Sequence, residues 1–305
     1  MFRTGRGKTK SDIYYIYKNQ KTEMMDRMKF LQTTGLFVAG GIINKTGTVE
    51  NNFINDAPVA KKTSSQVDFP LIDLHVHRSE KQTIEDIVAK SKKTGIKFGI
   101  MQNVAPWGIR DDAELKAYID SLKSYPVYIG LQPMSPGWSK NLSRELIAQA
   151  DYVSMDPQVV PEGNGYGETI SVWEYASYIE DPEVFMESNM KHYMNILTGD
   201  EPLNIFACPL FLPSSIQREY DKLWTKKRLQ QIIDAAKARN IAIEINDLVR
   251  VPHESFILSA KKAGLKFTFG SDTRDQKTGR LDYCKYIAAK CGLTKNDFYI
   301  PERVI

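Results

Sequence analysis

From residue 68 onward, short apolar runs alternate with amphipathic stretches and polar turns. The run that begins Phe69-Pro70-Leu71-Ile72 and continues to His77 predicts a buried strand over 70–77. After it, Thr83 with an acid three residues on predicts a helix N-terminus, and Gly95 supplies the stop. Further strands are expected over 97–102, 127–132, 152–155, 204–208, 241–246 and 266–272. Helices are expected from Asp111-Asp112 onward, with Leu115, Tyr118, Ile119 and Leu122 at helical spacing, and then around 142–150, 182–197, 225–239 and 253–263. Three turns share one form, at Gly95, Asn240 and Gly264: each follows a helix C-terminus and leads into an apolar strand. The order lapses over 157–180, which reads as a long loop covering one end of the domain.

Seven strands alternating with helices imply parallel pairing through right-handed crossovers. A doubly wound open sheet would carry a glycine-rich phosphate turn after its first strand, and none is present. Polar residues recur instead at the C-terminal ends of the strands, as in a closed barrel with its site at that face. The expected fold class is therefore α/β, a seven-stranded TIM-like barrel occupying 68–305.

The segment before the barrel, 1–67, reads as a leader and linker. Residues 1–27 are polar and basic, and 42–67 are rich in Asn, Thr, Lys and Ser. Between them, 27–41 combines a basic residue, a short apolar run and small residues, the parts of an export signal. It resembles a twin-arginine signal in which Met28 stands where the second arginine would be. Met24, Met25 and Met28 offer later starts. The expectation is a periplasmic or other extracytoplasmic location if that signal operates, and a cytoplasmic one otherwise. The run is too short to span a bilayer as a helix, so no stable membrane insertion of the folded domain is expected.

Composition narrows the classes. At 42% hydrophobic and 26% charged, the 305-residue chain is an ordinary globular protein. Its formal charge of +4 is small for the length and gives no argument for nucleic-acid binding. Three cysteines make no disulfide framework. Cys284 and Cys291, seven apart on one helical face, are expected to pack in the core.

Chemistry concentrates at Asp73-Leu74-His75-Val76-His77, which holds two of the chain's four histidines. Alternate residues of a strand share a face, so His75 and His77 can grip one metal ion at a strand's C-terminal end. Asp73 is expected to orient an imidazole from behind. His192, in mid-helix, should face the helix layer. His253, at a helix start, lies at the correct end of the barrel to approach the site.

Asp73-Leu74-His75-Val76-His77, Ala242-Ile243-Glu244-Ile245-Asn246 and Phe269-Gly270-Ser271-Asp272 together resemble motifs of the polymerase-and-histidinol-phosphatase superfamily, over about 70–275. The resemblance implies a distorted (β/α)7 barrel holding up to three metal ions. It also marks departures, since several positions where that family places ligands carry other residues. Gln102-Asn103 stand at the end of the second strand, Gln132 on the third, Asp156 after the fourth, Cys208 in Ala207-Cys208-Pro209, and Arg274 two after Asp272. His75, His77 and Asp272 match unchanged.

Neutral amides are poor ligands, and Arg274 repels further cations. The expectation is one divalent ion, zinc, manganese or iron, on His75, His77 and Asp272 with Asp156 or Cys208 as a further ligand. The reading is a metal-dependent hydrolase of phosphoesterase or amidohydrolase type acting on a small, anionic substrate. Asp272 or Asp156 would serve as general base, Arg274 would hold the anion, and Asn103, Gln132 and Asn246 would line the pocket. The alternative is a non-catalytic barrel binding a sugar, peptide or phosphorylated ligand, with Trp107, Trp138 and Trp173 as stacking walls.

Overall fold

The computed structural model describes residues 68–303 except 166 and 176. The expected leader, export signal and linker over 1–67 lie outside the described residues. Seven strands close into one parallel barrel: β1 (Ile72–Val76), β2 (Lys97–Asn103), β3 (Tyr128–Gln132), β4 (Tyr152–Met155), β7 (Ile205–Phe206), β8 (Ala242–Asn246) and β9 (Phe267–Gly270). Neighbours in sequence are neighbours around the barrel, and the Asp73–Phe269 pairing of β1 with β9 closes it. The strands are buried along nearly their whole length. This is why they read as continuous apolar runs rather than alternating ones.

Helices cover the outside: α1 (Ile84–Thr94), α2 (Asp112–Asp120), α3 (Arg144–Ile147), α4 (Pro182–Thr198), α5 (Tyr220–Leu223), α6 (Lys226–Ala238), α7 (Glu254–Lys262) and α8 (Asp282–Lys290). Their ends follow local chemistry. Thr83 caps α1 by accepting the Asp86 N–H while the Asp86 carboxylate accepts the Thr83 N–H. Gly95, Asn240 and Gly264 all take positive φ, so the three similar turns share one left-handed helix stop. No helix among the described residues is long and apolar enough to cross a membrane.

The interior is filled by side chains from several strands, among them Ile72, Leu74, Met101, Tyr128, Tyr152, Ile205 and Ala242. Tyr152 crosses to the far wall, where its hydroxyl donates to the Leu74 carbonyl at 2.7 Å. Its ring fills the space that side chains at Gly99 and Gly130 would need. From outside, the hydroxyl of Tyr118 on α2 donates to the carbonyls of Ile100 and Gly130. The barrel is thus plugged beneath its mouth, and any chemistry is confined to the C-terminal rim.

The 157–180 segment differs from expectation. It contains a small antiparallel hairpin, β5 (Val159–Val160) with β6 (Ile170–Ser171). Two-residue strands are too short to show a periodicity in sequence. Cys284 and Cys291 are buried packing residues, as expected.

Candidate metal centre

His75 lies on β1, Cys208 two residues past β7, and Asp272 two residues past β9. One ligand atom from each lies within 4.8 Å of the other two, and all three residues are buried. Two of the three occupy strained backbone. Cys208 has φ 41° and Asp272 φ 48°, a region that residues with a Cβ rarely enter. Such strain persists where the surroundings over-determine it, and it clusters at functional sites.

Glu244 on β8 holds the cluster together. Its Oε1 is 2.6 Å from His75 Nδ1, and its Oε2 accepts the Cys208 backbone N–H at 2.6 Å. One carboxylate therefore fixes the imidazole and the strained turn that presents the thiol. The path of Glu244 runs directly over Gly270, where a Cβ would collide with Oε1 and with the His75 Cβ. This is the physical content of glycine in Gly270-Ser271-Asp272.

Both ring nitrogens of His75 are engaged. Nδ1 faces the Glu244 carboxylate, and Nε2 lies 3.1 Å from the Gln132 amide nitrogen and 3.3 Å from Asp272 Oδ1. The sulfur of Cys208 is 3.8 Å from Asp272 Oδ2 and accepts from Asn246 Nδ2 at 3.0 Å. The Asn246 amide is oriented by its own Oδ1, which accepts the Val249 N–H.

Asp73 departs from its expected role of orienting an imidazole. Its carboxylate accepts the backbone N–H groups of His75, Ser271 and Gly279. It thus pins the loop carrying Asp272 to β1, while Glu244 takes the imidazole. Burial pushes the Asp73 carboxyl up to about 6, partly offset by these hydrogen bonds. The same loop is knitted through Ser271, Thr273, Thr278 and Gln82.

Three of the five expected ligands thus converge. His77 follows the end of β1, its backbone N–H given to the Thr273 carbonyl. Its ring lies edge-on to His75 with centroids 5.4 Å apart, and its nitrogens are outside the three-atom cluster. Asp156 is buried and one amide away. Gln132 Nε2 donates to its Oδ2 at 3.2 Å as well as facing His75. Asn103 Nδ2 donates to Gln132 Oε1 and lies 3.4 Å from the Met134 sulfur. Gln132 and Asn246, expected to line a substrate pocket, are engaged inside the network. Arg274 donates from Nη1 to Asp272 Oδ1 at 3.2 Å.

The remaining histidines lie apart from the cluster. His192 on α4 is buried against the Pro157 carbonyl, and burial lowers its pKa to about 4. His253 stacks on Tyr220 with centroids 3.8 Å apart. Of the three tryptophans expected as stacking walls, Trp138 and Trp173 are buried in the core. The role of Glu244 was only partly visible in sequence, because a side-chain contact with His75, 169 positions away on a strand that does not pair with its own, decides it.

The donor set fits a metal ion. Imidazole, thiolate and carboxylate together suit zinc, and an imidazole whose other nitrogen bonds a carboxylate is the usual form of a ligating histidine.

A scan against protein-family models finds no match, and a search of curated proteins finds none either. Among solved structures, a histidinol phosphate phosphatase from Lactococcus lactis, complexed with zinc, L-histidinol and phosphate, is similar at 16% identity and a TM-score of 0.50. The match covers 76% of this chain and 95% of that one. A citrate synthase variant matches more distantly, with 12% identity, a TM-score of 0.35 and coverage of 72% and 94%. An archaeal ribonuclease P structure with mature tRNA matches at 13% identity and a TM-score of 0.36, covering 72% and 89%. What the first likeness and the closed sheet define is a class of fold: the protein is a TIM-like α/β barrel.

Proposed function

We propose that this barrel is a metal-dependent hydrolase with a single-ion centre on His75, Cys208 and Asp272. The observation that carries the reading is the convergence of these three buried side chains, with Glu244 bonded to the far nitrogen of the imidazole. An ion bound there supplies Lewis acidity toward a substrate oxygen and toward water. The chain's own groups do the rest. Glu244 holds the His75 imidazole, and Asn246 holds the sulfur. Arg274, whose side chain is 22% exposed where that of Asp272 is 2%, reaches toward solvent and holds the anionic part of the substrate. Asp156, buried beside Gln132 and outside the three-atom cluster, accepts a proton from the attacking water. His77, beside His75, is a further candidate ligand. The substrate class is a small phosphate ester or amide carrying a negative charge.

Elemental analysis of the full-length protein purified without added metal tests the reading, alongside a His75→Ala, Cys208→Ala double variant. The expected result is about one equivalent of zinc in the unsubstituted protein and less than about a tenth in the variant. Hydrolysis of a generic phosphate ester should be lost with the metal. An unsubstituted protein that takes up no ion from zinc-supplemented buffer would sink the proposal.

A further inference from the structure

Arg274 and the candidate ion compete for one carboxylate. Asp272 Oδ1 lies 3.2 Å from Arg274 Nη1 and 3.3 Å from His75 Nε2, and Oδ2 faces the Cys208 sulfur. An ion among these atoms needs the Asp272 carboxylate, one of whose oxygens, Oδ1, the guanidinium now engages. It also meets a fixed positive charge beside a carboxylate only 2% exposed, where screening is weak. The guanidinium has five N–H donors in a planar fork, and its one side-chain hydrogen bond among the described residues is to Asp272. The backbone behind it is held by Ser79, whose hydroxyl donates to the Arg274 carbonyl at 2.6 Å. The residue is therefore anchored at its backbone, and its side chain is 22% exposed.

We infer that Arg274 couples anion binding to metal binding: an oxyanion that takes the fork draws it from Asp272 and raises the affinity of the centre for its cation. This rests on the single-ion reading and adds to it a mechanism of cooperation between its anion and its cation. A phosphate or carboxylate satisfies two guanidinium N–H groups in parallel, which the single contact to Asp272 does not. It also cancels the charge that opposes the cation. By linkage, the ion must raise the anion's affinity by the same factor. Arg274 holds the anion directly in this scheme and acts on the ion through Asp272.

The experiment is a chelator-competition titration of zinc on the full-length protein, with and without inorganic phosphate. It is repeated for Arg274→Gln and Arg274→Lys after circular dichroism has shown each to be folded. Phosphate should raise zinc affinity about tenfold in the unsubstituted protein. In Arg274→Gln, zinc should bind more tightly than in the unsubstituted protein without phosphate, and phosphate should then change nothing. Arg274→Lys keeps the charge without the fork and should show a diminished phosphate effect. It carries the test if the Gln variant does not fold.

A full phosphate effect in either folded variant would place the anion on the metal rather than on Arg274 and overturn the inference. Zinc binding that ignores phosphate in the unsubstituted protein would overturn it too, leaving the single-ion reading intact. No zinc binding in any buffer would overturn both.

Discussion

The two sides of the barrel mouth are built from different chemistry. On the side formed by β7, β8, β9 and β1, the rim carries Cys208, Glu244, Asp272 and His75, with Glu244 and Asp272 each contacting both His75 and Cys208. On the side formed by β2, β3 and β4, it carries Asn103, Gln132 and Asp156, two amides leading to one carboxylate. The first side offers lone pairs to a cation. The second offers amide N–H groups. The three donors that converge all lie on the first side, and the Gln132 amide of the second side bridges Asp156 and His75.

The strongest way to break this asymmetry is Gln132→Glu. It replaces a donor between Asp156 and His75 with a second buried carboxylate against Asp156. Without a cation, the unfolding free energy should fall by about 3 kcal/mol. Excess zinc should recover much of that loss by binding only the folded state. Urea unfolding in chelator and in zinc reads both; an unchanged midpoint in chelator would show that the amide side is not the neutral spacer described.

A smaller effect comes from His192, which lies on α4 against the Pro157 carbonyl. Burial holds its folded pKa near 4, below the ordinary value of 6.5. The unfolded chain therefore takes up the proton first as pH falls. The neutral histidine's stability is fully present above pH 6.5 and is lost progressively down to about pH 4. Between pH 7.5 and pH 5 this group should cost about 2 kcal/mol. The difference between the unsubstituted protein and His192→Asn, measured by urea unfolding at the two pH values, isolates it. Equal losses in both proteins would remove the assignment.

The smallest expected effect is that of Asn103→Ala at the half-buried end of the amide chain. Losing its bond to Gln132 Oε1 should cost about 1 kcal/mol in thermal or urea unfolding. Zinc affinity should stay within about twofold, because Asn103 touches no atom of the three-residue cluster. A large fall in zinc affinity would mean that the two sides act as one site.

Much of the fold was legible because it is written in local chemistry. The capping box at Thr83, the left-handed stops at Gly95, Asn240 and Gly264, and the apolar strand runs all form where their residues predict. The site was legible only in part. His75 and Asp272 announced themselves by motif, and Cys208 as a substituted position. That Cys208 rather than His77 would close the cluster depends on a positive-φ turn at a residue type that gives no signal of adopting one. Glu244 and Asp73 share a type and a strand context, so sequence could not tell that one would hold a ring and the other a loop backbone.

What the sequence determined by itself, then, was the seven barrel strands with their parallel order and most of the helices around them, together with side chains of metal-ligating type at strand ends. These follow from apolar periodicity, capping and turn preferences, all of which act within a few residues. Which donors meet was decided only by the tertiary structure. The rim of a closed barrel joins residues up to 206 positions apart, as Asp73 and Gly279 show. Their contacts are set by strand register and backbone strain across the whole ring, and no local pattern encodes those.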